Sequence, residues 1–184
     1  EDVESYFEEN KDTLKEDGVT LEDTDYYVDV RHILIKPVGD TEDAKTFTDA
    51  QWEACRQQAQ AILDQWLKEG GGEDGFAALA EEKSQDDGSK YVGGLYENVP
   101  QGKMVAEFND WIFDEARQIG DYGIVKTTYG YHVMYFVGST PEWYVVCENA
   151  LLKKASNELL ETLLAEAKVE TDYASIFLGE ANLG

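Results

Sequence analysis

The sequence has few basic residues: 15 Lys and Arg stand against 39 Asp and Glu, and the formal net charge is −24 at pH 7. Nucleic acids and anionic lipid surfaces are bound mainly through Lys and Arg, so this balance argues against both as direct partners. A well-solvated surface accounts for such a charge. The functional alternative is an acidic surface that keeps unfolded binding partners in solution.

Cysteine is also scarce, and long apolar runs are absent. Cys55 and Cys147 are the only cysteines, and their spacing is not that of metal ligands. Cys55 falls on the apolar face of a predicted helix, which indicates a buried thiol, while a disulfide between the two stays open. No run approaches the roughly 20 apolar residues that span a bilayer, and the first residues form no basic-then-apolar leader. We expect any membrane anchor to lie outside this chain.

The sequence does contain enough apolar material for a packed core, with 42% hydrophobic and 12% aromatic residues. β-rich stretches predict strands at residues 26–35, 123–127 and 132–137, and Tyr129-Gly130 predicts a hairpin turn between the last two. Apolar residues at helical spacing predict helices at residues 3–14, 52–66, 76–80, 105–116 and 151–167. The polar residues 39–49 are predicted to form a loop.

The sequence holds only two histidines, and both fall in predicted strands. His32 lies in the first strand and His132 in the last, and the terminal strands of a closed unit are often neighbours. A single histidine in a strand is usually a core residue. Two polar side chains that face each other inside a sheet, however, cost stability unless they are hydrogen-bonded. We therefore expect a buried histidine pair. A metal site is disfavoured, because no further ligand-spaced residues accompany the two.

Four short segments carry a family resemblance: RHILIK at residues 31–36, Gly93-Gly94, GKMVAEF at residues 102–108 and TTYGYH at residues 127–132. In this order they resemble the signature of the parvulin family of peptidyl-prolyl cis/trans isomerases. Each segment alone is a weak signal, but the four together are specific. The resemblance implies an α+β fold, in which helices surround a mostly antiparallel sheet of about four strands and partial helical flanks adjoin it.

The same resemblance implies the roles of site residues. His32 and His132 would be the paired central histidines, and Thr127 would be the hydrogen-bond partner that sets their tautomers. Asp87 falls where family members carry cysteine or aspartate; the alternative is a simple turn residue. These four residues form the expected catalytic set, without cofactor or metal.

Met104 and Phe108 would be walls of an apolar pocket for the proline ring. Their i, i+4 spacing predicts that both lie on one face at the start of a helix. Tyr96 takes the place of a leucine that helps to line this pocket in relatives, with Leu95 in place of an aspartate, and Tyr129 stands where a small polar residue is common. Both tyrosines are therefore expected to bind substrate in a reshaped pocket. The departures keep a second hypothesis open, a non-catalytic chaperone or client-binding module with a degenerate domain.

The predicted loop at residues 39–49 has no cluster of Arg or Lys, which phosphate-directed relatives carry there. It has Asp40, Glu42 and Asp43 instead. We expect this loop to repel a substrate with phosphoserine or phosphothreonine before proline.

The flanks resemble those of the exported PrsA-type foldases of Gram-positive bacteria. We expect an N-terminal helical flank at residues 1–29, an isomerase domain at residues 30–139 and a C-terminal amphipathic helix and tail at residues 140–184. The leucine stripe at residues 151–164 is expected to pack on the helix carrying Phe7 and Leu14, within the chain or in a homodimer. The expected function is extracytoplasmic isomerisation of X-Pro bonds in incompletely folded polypeptide clients.

Overall fold

The computed structural model describes residues 2–22, 25–39 and 47–167. The elements in this part of the chain are, in order, α1 (Val3–Glu16), β1 (Tyr26–Ile35), α2 (Asp49–Lys68), α3 (Glu73–Lys83), β2 (Leu95–Val99), α4 (Ala106–Ile112), β3 (Tyr122–Lys126), β4 (Tyr131–Pro141) and α5 (Glu142–Glu166). A short 3-10 turn, Lys90–Val92, precedes β2. The predicted α+β class is confirmed.

The sheet has the strand order β2-β1-β4-β3, and each pair of neighbours is antiparallel. The first and last strands in the sequence are therefore the two central strands. They pair along nearly their whole length, from Tyr26 opposite Pro141 to Ile35 opposite Tyr131, with one irregularity between Asp29 and Val30. β3 and β4 form the predicted hairpin. β2 follows Gly93-Gly94 and was expected only from the resemblance.

Helices cover both faces of the sheet, and alternation along the strands decides which residues each face receives. One face carries Ile33, Ile35 and Val133 against α2 and α3, whose buried residues include Leu63 and Phe76. The other face packs on α4 through a second cluster, formed by Val28, Val30, Val99, Phe108, Ile112, Val125, Met134 and Phe136. His32 and His132 have the same parity as Val30 and Met134. Both imidazoles therefore point to the α4 side.

Several predicted helix boundaries differ from the observed ones; α5, for example, begins at Glu142 and not at residue 151. Two of the differences have a local cause. α2 begins at Asp49, inside the predicted loop, because Thr48 and Gln51 form a capping box. The helix predicted at residues 105–116 ends at Ile112. There the Asp114 carboxylate accepts a hydrogen bond from the Ala116 N–H, and the Asp114 carbonyl accepts one from the Arg117 N–H. Such local bonding by aspartate competes with a continuing helix.

The chain ends pack together, but less of α5 is covered than expected. α1 contacts α5 through Phe7, Leu14 and Cys147, with Trp143 edge-on to Phe7 at 5.3 Å between ring centroids. Beyond that contact Leu152, Leu159, Leu160, Leu163 and Leu164 are all more than half exposed. The expectation that α1 buries the stripe at residues 151–164 is therefore wrong within one chain. The 14 residues of α1 are too short to cover the 25 of α5, since a helix rises about 1.5 Å per residue. Pairing with a second copy stays a prediction.

The cysteines are free and buried in separate clusters, so no disulfide joins them. The buried thiol predicted at Cys55 is confirmed, and its sulfur donates a hydrogen bond to the Ile35 carbonyl. Among the described helices, none combines the length and the apolar character needed to cross a membrane. The expected domain boundaries at residues 29/30 and 139/140 fall inside β1 and β4. The division into units stays a prediction; the sheet itself runs from Tyr26 to Pro141.

If the helical ends are a separate unit, loosening them should leave the sheet intact. Phe7→Ala removes a buried ring from the α1–α5 contact, a change that costs about 3 kcal/mol or more in a packed core. We expect amide hydrogen exchange to accelerate in α1 and in the first turns of α5, with exchange in β1 and β4 unchanged. The exposed variant Glu9→Ala should alter neither. Equal acceleration in the sheet would show one cooperative unit and overturn the division.

Candidate active site

A cleft of about 430 Å³ lies between the α4 side of the sheet and the segment that enters α4. Six of the eight predicted site residues line it: His32, Tyr96, Met104, Phe108, Tyr129 and His132. The other lining residues are Leu34, Lys36, Asp86, Lys103 and Val105. Thr127 lies behind the cleft, and Asp87 is exposed outside it. The sheet therefore brings together side chains from three strands and the start of one helix.

The two histidines meet at the base of the cleft. Register places His32 opposite Met134 and His132 opposite Leu34, so the imidazoles are diagonal neighbours on one face. Their Nδ1 atoms lie 3.0 Å apart in a hydrogen bond, and the residues are only 2% and 5% exposed. Phe108 contacts both rings edge-on, with 5.4 Å between centroids in each case. The expected buried pair is present.

Thr127 holds the outer nitrogen of His132. Its Oγ1 lies 2.9 Å from His132 Nε2 and accepts a hydrogen bond from the Tyr129 N–H at 3.1 Å. The hairpin between β3 and β4 creates this arrangement, because the Thr127 N–H also donates to the Gly130 carbonyl across the turn. Thr127 positions an imidazole, as the resemblance implied, rather than facing a ligand.

At the other end of the pair the carboxylate is that of Asp86, which corrects the expectation for Asp87. Asp86 Oδ2 lies 3.2 Å from His32 Nε2 and accepts hydrogen bonds from the hydroxyls of Tyr96, at 2.8 Å, and Ser89. The backbone explains the shift of one residue: the Gln85 N–H donates to the Leu34 carbonyl and holds this segment beside β1. Asp87 then follows into the turn at Gly88 and points to solvent.

The hydrogen bonds fix an order of donors through the site. The ionised Asp86 can only accept, so His32 Nε2 carries a proton toward it. In the tautomer protonated at Nε2 alone, His32 Nδ1 is an acceptor. His132 must then donate from Nδ1, which leaves its Nε2 to accept from the Thr127 hydroxyl. Ser89, whose hydroxyl donates to Asp86, lies 3.0 Å from His32 Nε2 and can share that proton. Each ring nitrogen of the pair then has a defined role as donor or acceptor.

The electrostatics agree with this order. Burial lowers the pKa of His132 to about 3, and the neighbouring His32 contributes in the same direction. The hydrogen bond with His32 holds the pKa of Asp86 well below its usual range, with further contributions from Ser89 and Tyr96. Burial and the bond to Asp86 raise the pKa of Tyr96 to about 12. At neutral pH His132 is therefore uncharged, Tyr96 is protonated and Asp86 is ionised.

The apolar wall comes from the segment that enters α4. Met104 precedes the helix, whose N-cap residue is Val105, so only Phe108 stands on α4 itself. This corrects the expectation that Met104 also lies on the helix. The Gly102 N–H donates to the Asn109 side chain at 2.7 Å and fixes the loop against the helix. Both Met104 and Phe108 still face the cleft.

Two tyrosines and two glycines complete the site. Tyr96 stacks on His32 at 4.9 Å between centroids, while Tyr129 is 61% exposed at the rim. Gly94 and Gly130 allow the backbone to approach β1. A Cβ at Gly94 would lie 2.3 Å from the His32 carbonyl oxygen, and one at Gly130 would lie 2.1 Å from that of Ile35. Both also have positive φ angles, which other residues rarely adopt.

Sequence reasoning missed Asp86 as the acceptor, Ser89 as its partner, and two lysines of the lining, Lys36 and Lys103. Only the hydrogen bond from the Gln85 N–H to the Leu34 carbonyl of β1 could distinguish Asp86 from Asp87. The acidic residues 40, 42 and 43 lie outside the described part of the chain. Among the described residues, no group of three or more His, Cys, Asp or Glu side chains is placed to hold a metal ion.

Adjacent aspartates offer a matched test of the acceptor. Asp86→Asn removes the charge that accepts bonds from Tyr96, Ser89 and His32, and hydrogen bonds to charged groups contribute about 1.5–3 kcal/mol each. We expect the free energy of unfolding in urea to fall by about 2 kcal/mol, and Asp87→Asn to change it by less than about 0.5 kcal/mol. Equal effects of the two substitutions would contradict the assignment.

The neutral His132 should make stability depend on pH. Its folded pKa lies below the unfolded value, so the stabilisation is complete above about pH 6.5 and is lost as the pH falls toward 3. Asp86, whose pKa is also lowered, acts in the same direction below about pH 4. We expect the free energy of unfolding to fall between pH 6 and 4, by up to about 1.4 kcal/mol per unit more than in His132→Gln. Parallel pH profiles would show that His132 is not buried in its neutral form.

Comparison with known proteins gives a family for this arrangement. The family described as "PPIC-type PPIASE domain" matches residues 18–138. Foldase protein PrsA 1 of Listeria innocua is 30% identical over 159 residues, which are 85% of this chain and 47% of that protein. Foldase protein PrsA of Caldanaerobacter subterraneus is 30% identical over 166 residues, 88% of this chain and 43% of that protein. The chain thus spans less than half the length of either relative.

Solved structures also align with the chain. One of two SurA-like chaperones of Campylobacter jejuni aligns with a TM-score of 0.48 and 30% identity, over 92% of this chain and 62% of the other. PrsA from Bacillus subtilis aligns with a TM-score of 0.47 and 23% identity, over 92% of this chain and 57% of the other.

Proposed function

Because the chain belongs to the family of PPIC-type peptidyl-prolyl isomerase domains, we propose that its cleft binds the proline of an X-Pro bond and catalyses cis/trans isomerisation. The observation that carries the proposal is a cleft with an apolar wall at Met104 and Phe108 and a hydrogen-bonded imidazole pair at its base. The pyrrolidine ring is apolar, and the amide beside it is polar. The two surfaces of the cleft match these two parts.

The reaction breaks no covalent bond. Rotation about an X-Pro amide faces a barrier of roughly 18–20 kcal/mol, because the twisted amide loses its resonance. A site accelerates the rotation if it binds the twisted amide better than the planar one. Met104 and Phe108 hold the ring in this mechanism and exclude water from the bond. The imidazole pair offers a fixed polar surface that needs no reorganisation during the rotation.

In this account Asp86 and Thr127 act through the histidines. Each bonds the outer nitrogen of one imidazole, and together they set both tautomers and both ring orientations. Asp87, expected as a catalytic residue, has no place in the mechanism. Tyr96 packs on His32 and narrows the cleft, while Tyr129 at the rim offers an aromatic surface to the residue beside the proline.

The second candidate is a non-catalytic, client-binding module. The side chain of Tyr96 favours it, because a large ring stacked on His32 occupies space at the base of the cleft. Such a module would still hold proline-containing segments. It would bind the planar and twisted amides equally and would give no acceleration.

For the protein as a whole we propose a folding assistant that acts outside the cytoplasm on incompletely folded polypeptides. Support comes from relatives that carry the name foldase and from the resemblance to exported PrsA-type proteins. The acidic surface contributes by keeping such clients in solution. An anchor and the rest of a helical chaperone unit would lie beyond this chain.

Substitution in the wall tests the proposal. Phe108→Ala should lower kcat/KM for a proline peptide at least tenfold, a loss of about 1.4 kcal/mol in transition-state binding. The matched control is Phe113→Ala, since Phe113 packs against Tyr26 outside the cleft and follows the same helix. Met104→Ala repeats the test at a half-buried position in case Phe108→Ala unfolds. Activity within twofold of the parent in folded Phe108 and Met104 variants would remove the wall from the site.

A further inference from the structure

The lining of the cleft reverses the charge balance of the chain. Acidic residues outnumber basic ones 39 to 15 in the sequence, yet the cleft is lined by two lysines, Lys36 and Lys103, and by one acidic residue, Asp86. Asp86 is already engaged, because it accepts hydrogen bonds at the base of the cleft from Tyr96 and Ser89 and contacts His32. Asp86 keeps its negative charge in these bonds, so the lining has two positive charges, Lys36 and Lys103, against one negative charge.

Both lysines are exposed, and within the described residues neither forms an ion pair. Other basic residues of the domain do so: Arg31 pairs with Glu73, Arg56 with Glu53 and Arg117 with Asp114. In a protein with so many carboxylates, two ammonium groups on one cleft, neither paired with a carboxylate among the described residues, form a local positive site in a negative surface. Charges farther away than about 8–10 Å are largely screened at physiological salt, so the charges that line the cleft contribute most to the potential at its mouth.

The backbone fixes where each lysine stands. Lys36 directly follows β1, and its N–H donates to the Gln85 side chain at 2.6 Å. Lys103 directly precedes Met104 of the apolar wall, and its N–H donates to the Pro100 carbonyl. Two different elements thus bring a cation to the same opening. A peptide whose proline ring lies against Met104 passes its neighbouring side chains over this opening.

We propose that the cleft selects peptides with an acidic side chain next to the proline, through Lys36 and Lys103. The proposal rests on the proposed function and adds its substrate class. It reverses the expectation that a negative substrate is repelled, which was drawn from Asp40, Glu42 and Asp43 outside the described residues. Carboxylate peptides are the class proposed, since they carry one charge and need no modification.

Isosteric peptides test the selection with the full chain. Glu-Pro is compared with Gln-Pro, and Pro-Glu with Pro-Gln, in isomerase assays and in binding titrations followed by NMR shifts. We expect kcat/KM and affinity to be about three- to tenfold higher for a glutamate peptide on one side of the proline, as two exposed charge pairs allow. High salt should narrow the difference. In the double variant Lys36→Gln/Lys103→Gln the ratio should fall close to one.

A second double variant controls for net charge. Lys15→Gln/Lys68→Gln removes the same two charges from exposed helix ends away from the cleft and should keep the preference. Equal values for glutamate and glutamine peptides in the parent, or a preference that survives in Lys36→Gln/Lys103→Gln, would overturn the selection. If no peptide is isomerised but the glutamate peptide binds more tightly, catalysis fails and the selection stands. If no peptide binds, both fail.

Discussion

One hydrogen bond, between the Nδ1 atoms of His32 and His132, ties the central strands of this fold to its cleft. The bond crosses from β1 to β4, the first and last strands, which pair along almost their whole length. Two buried imidazoles are tolerable there only because each outer nitrogen also has a partner, Asp86 on one side and Thr127 on the other. The sheet, the hairpin and the turn before β2 are therefore all needed to complete the pair.

This dependence explains why part of the site could be predicted from the sequence. Strand alternation puts His32 on the same face as Val30, and His132 on the same face as Met134. The register that pairs His32 with Met134 then makes these one face of the sheet. The TTYGYH segment places Thr127 at a fixed separation from His132 across a tight turn. Strand alternation and the separation of two residues across a tight turn can both be read from the sequence. The pairing of the terminal strands was expected because such strands are often neighbours in a closed unit.

The rest could not be predicted, because it depends on contacts between distant segments. Asp86 and Asp87 are adjacent residues of the same type, so the sequence does not distinguish them. Only the hydrogen bond from the Gln85 N–H to β1 turns Asp86 toward His32. The burial of the α5 leucines also depends on a distant segment. Their spacing predicts a face to be buried, but the length of α1 decides how much of it is covered. The positive charges at the mouth of the cleft could not be predicted for a similar reason, since Lys36 and Lys103 are 67 positions apart in the sequence.

The central claim is that the cleft isomerises the X-Pro bond rather than only binding the segment that contains it. Two-dimensional exchange NMR on a peptide with one X-Pro bond measures this directly, with the chain at a small fraction of the peptide concentration. Uncatalysed interconversion takes tens to hundreds of seconds at 25 °C, so a mixing time of about one second gives no exchange peaks without the chain. We predict cis–trans exchange peaks when the chain is added, together with a shift of the Met104 methyl resonance. A Met104 shift without exchange peaks would contradict the account.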